Sequence, residues 1–79
     1  MEPKVKKKIL EFCSKAYDVF GVYDAGKQYI FMIKQKNVVG PIMDPFYSID
    51  KKSLEINGFV PYMNLELFKY ARQHPVEWR

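Results

Sequence analysis

The chain is poor in the residues that carry chemistry. It has one cysteine, Cys13, and one histidine, His74, in 79 residues. A single thiol excludes an internal disulfide, so a reducing, cytoplasmic setting is expected. A metal site needs three or four suitable ligands, and here it would have to be completed from nine scattered carboxylates. The four glycines, Gly21, Gly26, Gly40 and Gly58, stand too far apart to cradle a phosphate. No apolar run approaches the ~18–20 residues of a membrane span. The segment after the N-terminal lysines is broken by Glu11, Lys15 and Asp18, which is unlike a signal-peptide core. These absences predict no metal, no cofactor, no membrane partner and no enzyme activity.

What is present is apolar and aromatic. At 79 residues one small domain, 1–79, is expected, and it hides only about 60–65% of the surface of its unfolded chain. An apolar share of 48% is enough for a packed core and argues against disorder. The formal net charge of +4 is concentrated early. Lys4, Lys6, Lys7, Lys8 and Lys15 stand there against Glu2 and Glu11.

The chain is organised around Tyr29-Ile30-Phe31-Met32-Ile33, five consecutive apolar residues. As a strand this strip presents Tyr29, Phe31 and Ile33 on one side and Ile30 and Met32 on the other. A strand apolar on both faces is central and doubly covered, or it leaves one face for a partner. Ahead of it, Val5, Ile9, Phe12, Cys13, Ala16, Tyr17 and Phe20 fall on a helical stripe, and Pro3 suits a first helical turn. The spacing predicts a helix over about 3–17. Val19–Asp24 and Lys27–Gln35 read as a hairpin around Asp24-Ala25-Gly26-Lys27, where Gly26 is free to take a positive φ. Gly21 reads as a bulge or a close approach. Lys36-Asn37 reads as a turn, with a short strand at Val38–Val39 and then an apolar loop through Pro41 and Pro45. Phe46–Asp50 and Leu54–Asn57 form a second hairpin. Asn64 is placed to cap a second helix that His74-Pro75 ends, leaving a loose tail in which Trp78 is expected to dock.

The order α-β-β-β-β-α predicts an α+β fold: an antiparallel sheet of three to four strands with both helices packed on one face. The face left open would then display Ile30, Met32 and Val22 as a surface for another protein or a second copy. The first helix supplies the alternative, a nucleic-acid-binding patch of Lys4, Lys7, Lys8 and Lys15. The order helix, antiparallel sheet, helix resembles, in topology alone, the double-stranded-RNA-binding domain, a family that grips phosphates with lysines at the start of its second helix. Here that start reads Asn64-Leu65-Glu66. Cys13, on the apolar stripe, reads as a small buried hydrophobe. His74 reads as a C-terminal helix residue. Asp24 and Asp50 begin turns and cap local backbone. The many tyrosines and phenylalanines fit a core with half-exposed rims, a base-stacking platform or a protein-binding patch.

Asp44-Pro45-Phe46-Tyr47-Ser48-Ile49-Asp50-Lys51-Lys52, then Leu54-Glu55-Ile56 and Phe59-Val60-Pro61, is similar to the C-terminal part of small bacterial proteins. Some of these are immunity proteins encoded beside toxins, and others lie in phage-like regions. The resemblance spans about 44–72. It implies a non-enzymatic, partner-binding role and transfers no functional residue.

Overall fold

The computed structural model describes residues 1–35 and 46–78. The turn, short strand and apolar loop expected at Lys36 to Pro45 lie outside them. Helix α1 spans Pro3–Cys13 and α2 spans Leu65–Arg72, after a 3-10 turn at Pro61–Met63. Strands β1 (Tyr17–Asp24), β2 (Gln28–Gln35), β3 (Phe46–Asp50), β4 (Ile56–Phe59) and β5 (Pro75–Val76) form one sheet in the order β4-β3-β2-β1-β5. Every pairing is antiparallel. The expected α+β meander is present, with a fifth strand added at the β1 edge.

Glu2 precedes α1 with extended backbone and Pro3 opens it. The helix stops at Cys13, earlier than its apolar stripe suggests, and Ser14 takes φ 52°. The sheet claims the remainder, because Tyr17 pairs with Gln35. The register of β1 on β2 shifts between Val19 and Gly21. Phe20 is the extra residue of this bulge and stands exposed. A Cβ on Gly21 would come within 3.3 Å of the Tyr23 hydroxyl, so the bulge brings that ring over the glycine. At the β1–β2 turn Gly26 takes φ 92°, as expected.

The helices do not share a face. Val5, Ile9 and Cys13 of α1 pack with Val22, Tyr29, Phe31, Ile33 and Ile49. Ala71 of α2, flanked by Leu67 and Phe68, packs with Ile30, Ala25 and Phe59. Alternation along β2 separates the two sets onto opposite sides. The expectation of both helices on one face is therefore corrected to three layers, α1–sheet–α2. The physical reason is β2 itself, whose two apolar faces each need cover. Burying Phe31 and Ile30 to 0% exposure contributes about 1.5–3 kcal/mol each.

After α2 the chain crosses the β1 edge. Val76 pairs with Val22, and Trp78 joins the α1-side core with Lys6 Nζ 5.5 Å from its ring centroid. The tail is thus a strap from one face to the other, tied also by Asp24 N–H donating to the His74 carbonyl at 2.9 Å.

Candidate functional site

The surface expected from Ile30, Met32 and Val22 does not form. Ile30 is 0% exposed beneath α2, and Val22 is 2% exposed on the opposite face, opposite Phe31 in the β1–β2 register. Met32, half-buried, lies on the Ile30 side across from Gly21 and Phe46. One residue of register separates Val22 from the side to which the sequence reading assigned it.

The expected basic patch is exposed. Lys4, Lys7 and Lys8 lie on the outward arc of α1, and Lys15 follows the helix end. Glu11 sits within the same arc, on the side away from Val5, Ile9 and Cys13. At helical spacing it places a negative charge among the three lysines.

Among the described residues the largest exposed apolar group lies elsewhere. Val60, Tyr62, Met63 and Leu65 are 40%, 76%, 71% and 54% exposed within six residues. The segment is held by its own backbone. Met63 N–H and Asn64 Nδ2 both donate to the Val60 carbonyl, at 3.2 and 3.0 Å, and Asn64 N–H donates to the Pro61 carbonyl at 3.0 Å. Asn64 therefore spends its side chain on the turn and does not cap α2, contrary to expectation. Pro61 starts the turn, so Tyr62 and Met63 are carried outward by a fixed piece of backbone. The sequence assigns no element between Asn57 and the expected cap at Asn64. The signal was available: Val60, Tyr62 and Met63, three large apolar residues between the end of a strand and the start of the helical period.

This segment continues β4, the outermost strand on that side. Among the described residues nothing pairs with the outer edge of β4. Just before the strand, an open groove of about 590 Å³ lies between α1 and the β3–β4 turn, lined in part by Phe12, Leu54 and Ile56. Phe12 is 40% exposed, and its ring meets Tyr47 at 5.0 Å and Phe31 at 6.1 Å.

The turns at the far end of the sheet are polar and internally satisfied. Asp24 Oδ1 accepts from Gly26 N–H and from Lys51 Nζ, both at 2.8 Å. The Lys51 hydrogen bond, aided by Gly26, holds the Asp24 carboxyl below its ordinary value. Asp50 Oδ1 accepts from Lys52 and Ser53 N–H, both at 2.8 Å. The Ser53 and Lys52 N–H groups hold its carboxyl low in the same way. Both aspartates do the turn-capping work read from the sequence. Lys51 N–H also donates to the Lys27 carbonyl at 3.2 Å, joining the two hairpins.

Burial, with the Asp18 charge adding to it, pushes the Cys13 thiol up. A thiol so placed is a poor nucleophile. His74 Nδ1 lies 2.8 Å from the Tyr70 carbonyl, placed to donate to a last-turn helix carbonyl, and its ring lies tilted against that of Tyr70 with centroids 4.4 Å apart. Among the described residues no three of His, Cys, Asp and Glu gather as metal ligands, and no helix is long and apolar enough to cross a membrane. The chain matches no protein-family model, and comparison with curated proteins and with solved structures finds no match.

Proposed function

We propose that this chain is a non-enzymatic protein-interaction module, acting in the cytoplasm without a cofactor, that docks through Val60–Leu65 and the adjoining edge of β4. The observation that carries this reading is the exposure of Tyr62 and Met63 at 76% and 71% on a turn closed by hydrogen bonds from Met63 N–H, Asn64 N–H and Asn64 Nδ2. Large apolar side chains held outward on a fixed turn, beside a strand edge that nothing pairs among the described residues, are the features of a protein contact. The resemblance of 44–72 to bacterial immunity-type and phage-associated proteins supports the same class of role.

Nucleic-acid binding is the second reading, favoured by the exposure of Lys4, Lys7, Lys8 and Lys15. Glu11 within the arc weakens it. The two readings separate in one set of measurements. Duplex RNA and DNA binding is measured at about 50 and 200 mM salt, where phosphate contacts weaken steeply. Partner capture is then compared for the native chain, for Tyr62→Ser with Met63→Ser, and for Lys4→Glu with Lys7→Glu and Lys8→Glu. The docking reading expects capture to fall only with the first pair. Salt-sensitive nucleic-acid binding lost only with the lysine variant would overturn it.

A further inference from the structure

The geometry points to a second copy of this chain as the occupant of the β4 edge, the two copies pairing β4 to β4 antiparallel about a two-fold axis. The inference rests on the docking reading above and names its partner. It starts from the contrast between the two edges of the sheet. The β5 edge is two residues long and contains Pro75, which cannot donate to a further strand. The β4 edge, Ile56-Asn57-Gly58-Phe59, has neither charge nor proline to repel another strand. Asp50 N–H donates to the Glu55 carbonyl, and the antiparallel alternation from that bond turns the backbone groups of Ile56 and Gly58 outward.

The neighbours of β4 are complementary to one another across such an axis. With the axis through Asn57, Ile56 faces Gly58 of the other copy, and their outward backbone groups can exchange hydrogen bonds. The exposed Val60–Met63 segment of each copy then runs along Leu54, Ser53 and Lys52 of the other. Leu54 and Ser53 line the groove that Phe12 and Ile56 also wall. A two-fold antiparallel pairing brings the apolar turn just past the strand's end against the rim of the groove just before its start, twice; Phe12, Leu54 and Ile56 stand there among Lys8, Glu11, Ser53 and Glu55. Both copies carry a net charge of +4, so added salt relieves their repulsion and leaves the apolar contact intact. Four edge residues and a few side chains make an interface at the small end of the specific range, below about 1,200 Å², so association in the micromolar range is expected.

The test is molar mass by sedimentation and light scattering from about 1 μM to 1 mM chain, at low and high salt. The native chain is expected to pass from 9.4 kDa to twice that mass with rising concentration, no less readily at high salt. Asn57→Lys sets two like charges beside the axis from an exposed position. That variant, and separately Tyr62→Ser with Met63→Ser, should raise the concentration of half-association at least about tenfold. Circular dichroism melts should show both variants folded. Asn57→Cys should give an intermolecular disulfide on oxidation, because the two copies of residue 57 face each other across the axis. A chain that stays at 9.4 kDa throughout overturns the pairing, as does a dimer indifferent to both variants. If that monomer still loses a protein partner with Tyr62→Ser and Met63→Ser, docking at this segment stands and only the second copy is removed. If its partners ignore those changes, both readings fall.

Discussion

The two faces of the sheet are covered to different depths. On one side α1 lays Val5, Ile9 and Cys13, one turn apart, on Val22, Phe31, Ile33 and Ile49, all exposed by 2% or less. On the other side α2 is eight residues long and only Ala71 of it is buried. Leu67 and Phe68 are half-buried, and Leu65 and Tyr70 are largely exposed. The same strand, β2, supplies both floors. Stability is therefore concentrated under α1, while the α2 side keeps apolar surface in reserve next to the docking segment.

The largest expected effect tests that division. Phe31→Ala should cost about 3–5 kcal/mol, because a buried ring is removed from contact with Phe12 and Tyr47. Phe68→Ala, on the α2 side between Phe46 and Phe59, should cost roughly half as much, since its ring is already partly wet. Denaturant titration of both variants gives the comparison. Equal losses would break it and make the two faces energetically alike.

A smaller effect sharpens it. Ala71 is the one buried residue of α2, with 0% exposure. Ala71→Leu should destabilise by about 1–3 kcal/mol through overpacking. If the α2 side is as shallow as described, the helix tilts outward and the cost lies at the low end. The thermal midpoint then falls modestly, while α1-side protection against hydrogen exchange is kept.

Sequence pattern carried the α1 side well and the α2 side poorly. Val5, Ile9 and Cys13 recur at helical spacing, so the buried stripe of α1 could be read directly. Phe46–Asp50 matched its strand residue for residue, because alternation and two flanking turn signals bracket it. The second strand of that hairpin was displaced, since Leu54 spends itself on the turn with φ 63°. The side to which each helix goes is not a local property. Both helices are amphipathic, and nothing in either says which face of β2 it will cover. The β1–β2 register escaped for a similar reason: Val22 follows Phe31 to the α1 side through a pairing that the bulge at Phe20 helps to set. Tyr62 and Met63 were legible as apolar residues but not as exposed ones, because exposure depends on where the turn at Pro61 stands in three dimensions.

The strap that joins the faces gives a third prediction. Trp78→Ala removes a half-buried ring from the α1-side core and frees Lys6. A double-mutant cycle with Lys6→Ala should yield a coupling of about 0.5–1 kcal/mol. A null coupling would mean that the ring is held by packing alone.

The smallest effect lies at the end of the sheet that belongs to neither face. Asp24 and Asp50 both have carboxyls held below their ordinary values, by Lys51 and by backbone N–H groups respectively. A carboxylate with a lowered folded value stabilises the fold fully above its unfolded value of about 4, and that contribution is lost as pH falls through the folded value. Stability should thus be flat across neutral pH and decline below about pH 4. Asp24 is substantially exposed and its pair with Lys51 is screened by solvent, so Asp24→Ala should cost no more than about 1 kcal/mol at pH 7. The same variant should show a shallower acid decline than the native chain, because one of the titrating groups is gone. Denaturant midpoints for both proteins at neutral and acid pH measure this. Acid should loosen the joined turns while leaving the Phe31→Ala and Phe68→Ala difference intact, since neither ring touches either carboxylate. A difference between those two variants that shrank together with the Asp24 contribution would show that the turns, and not the depth of cover, set the contrast between the faces.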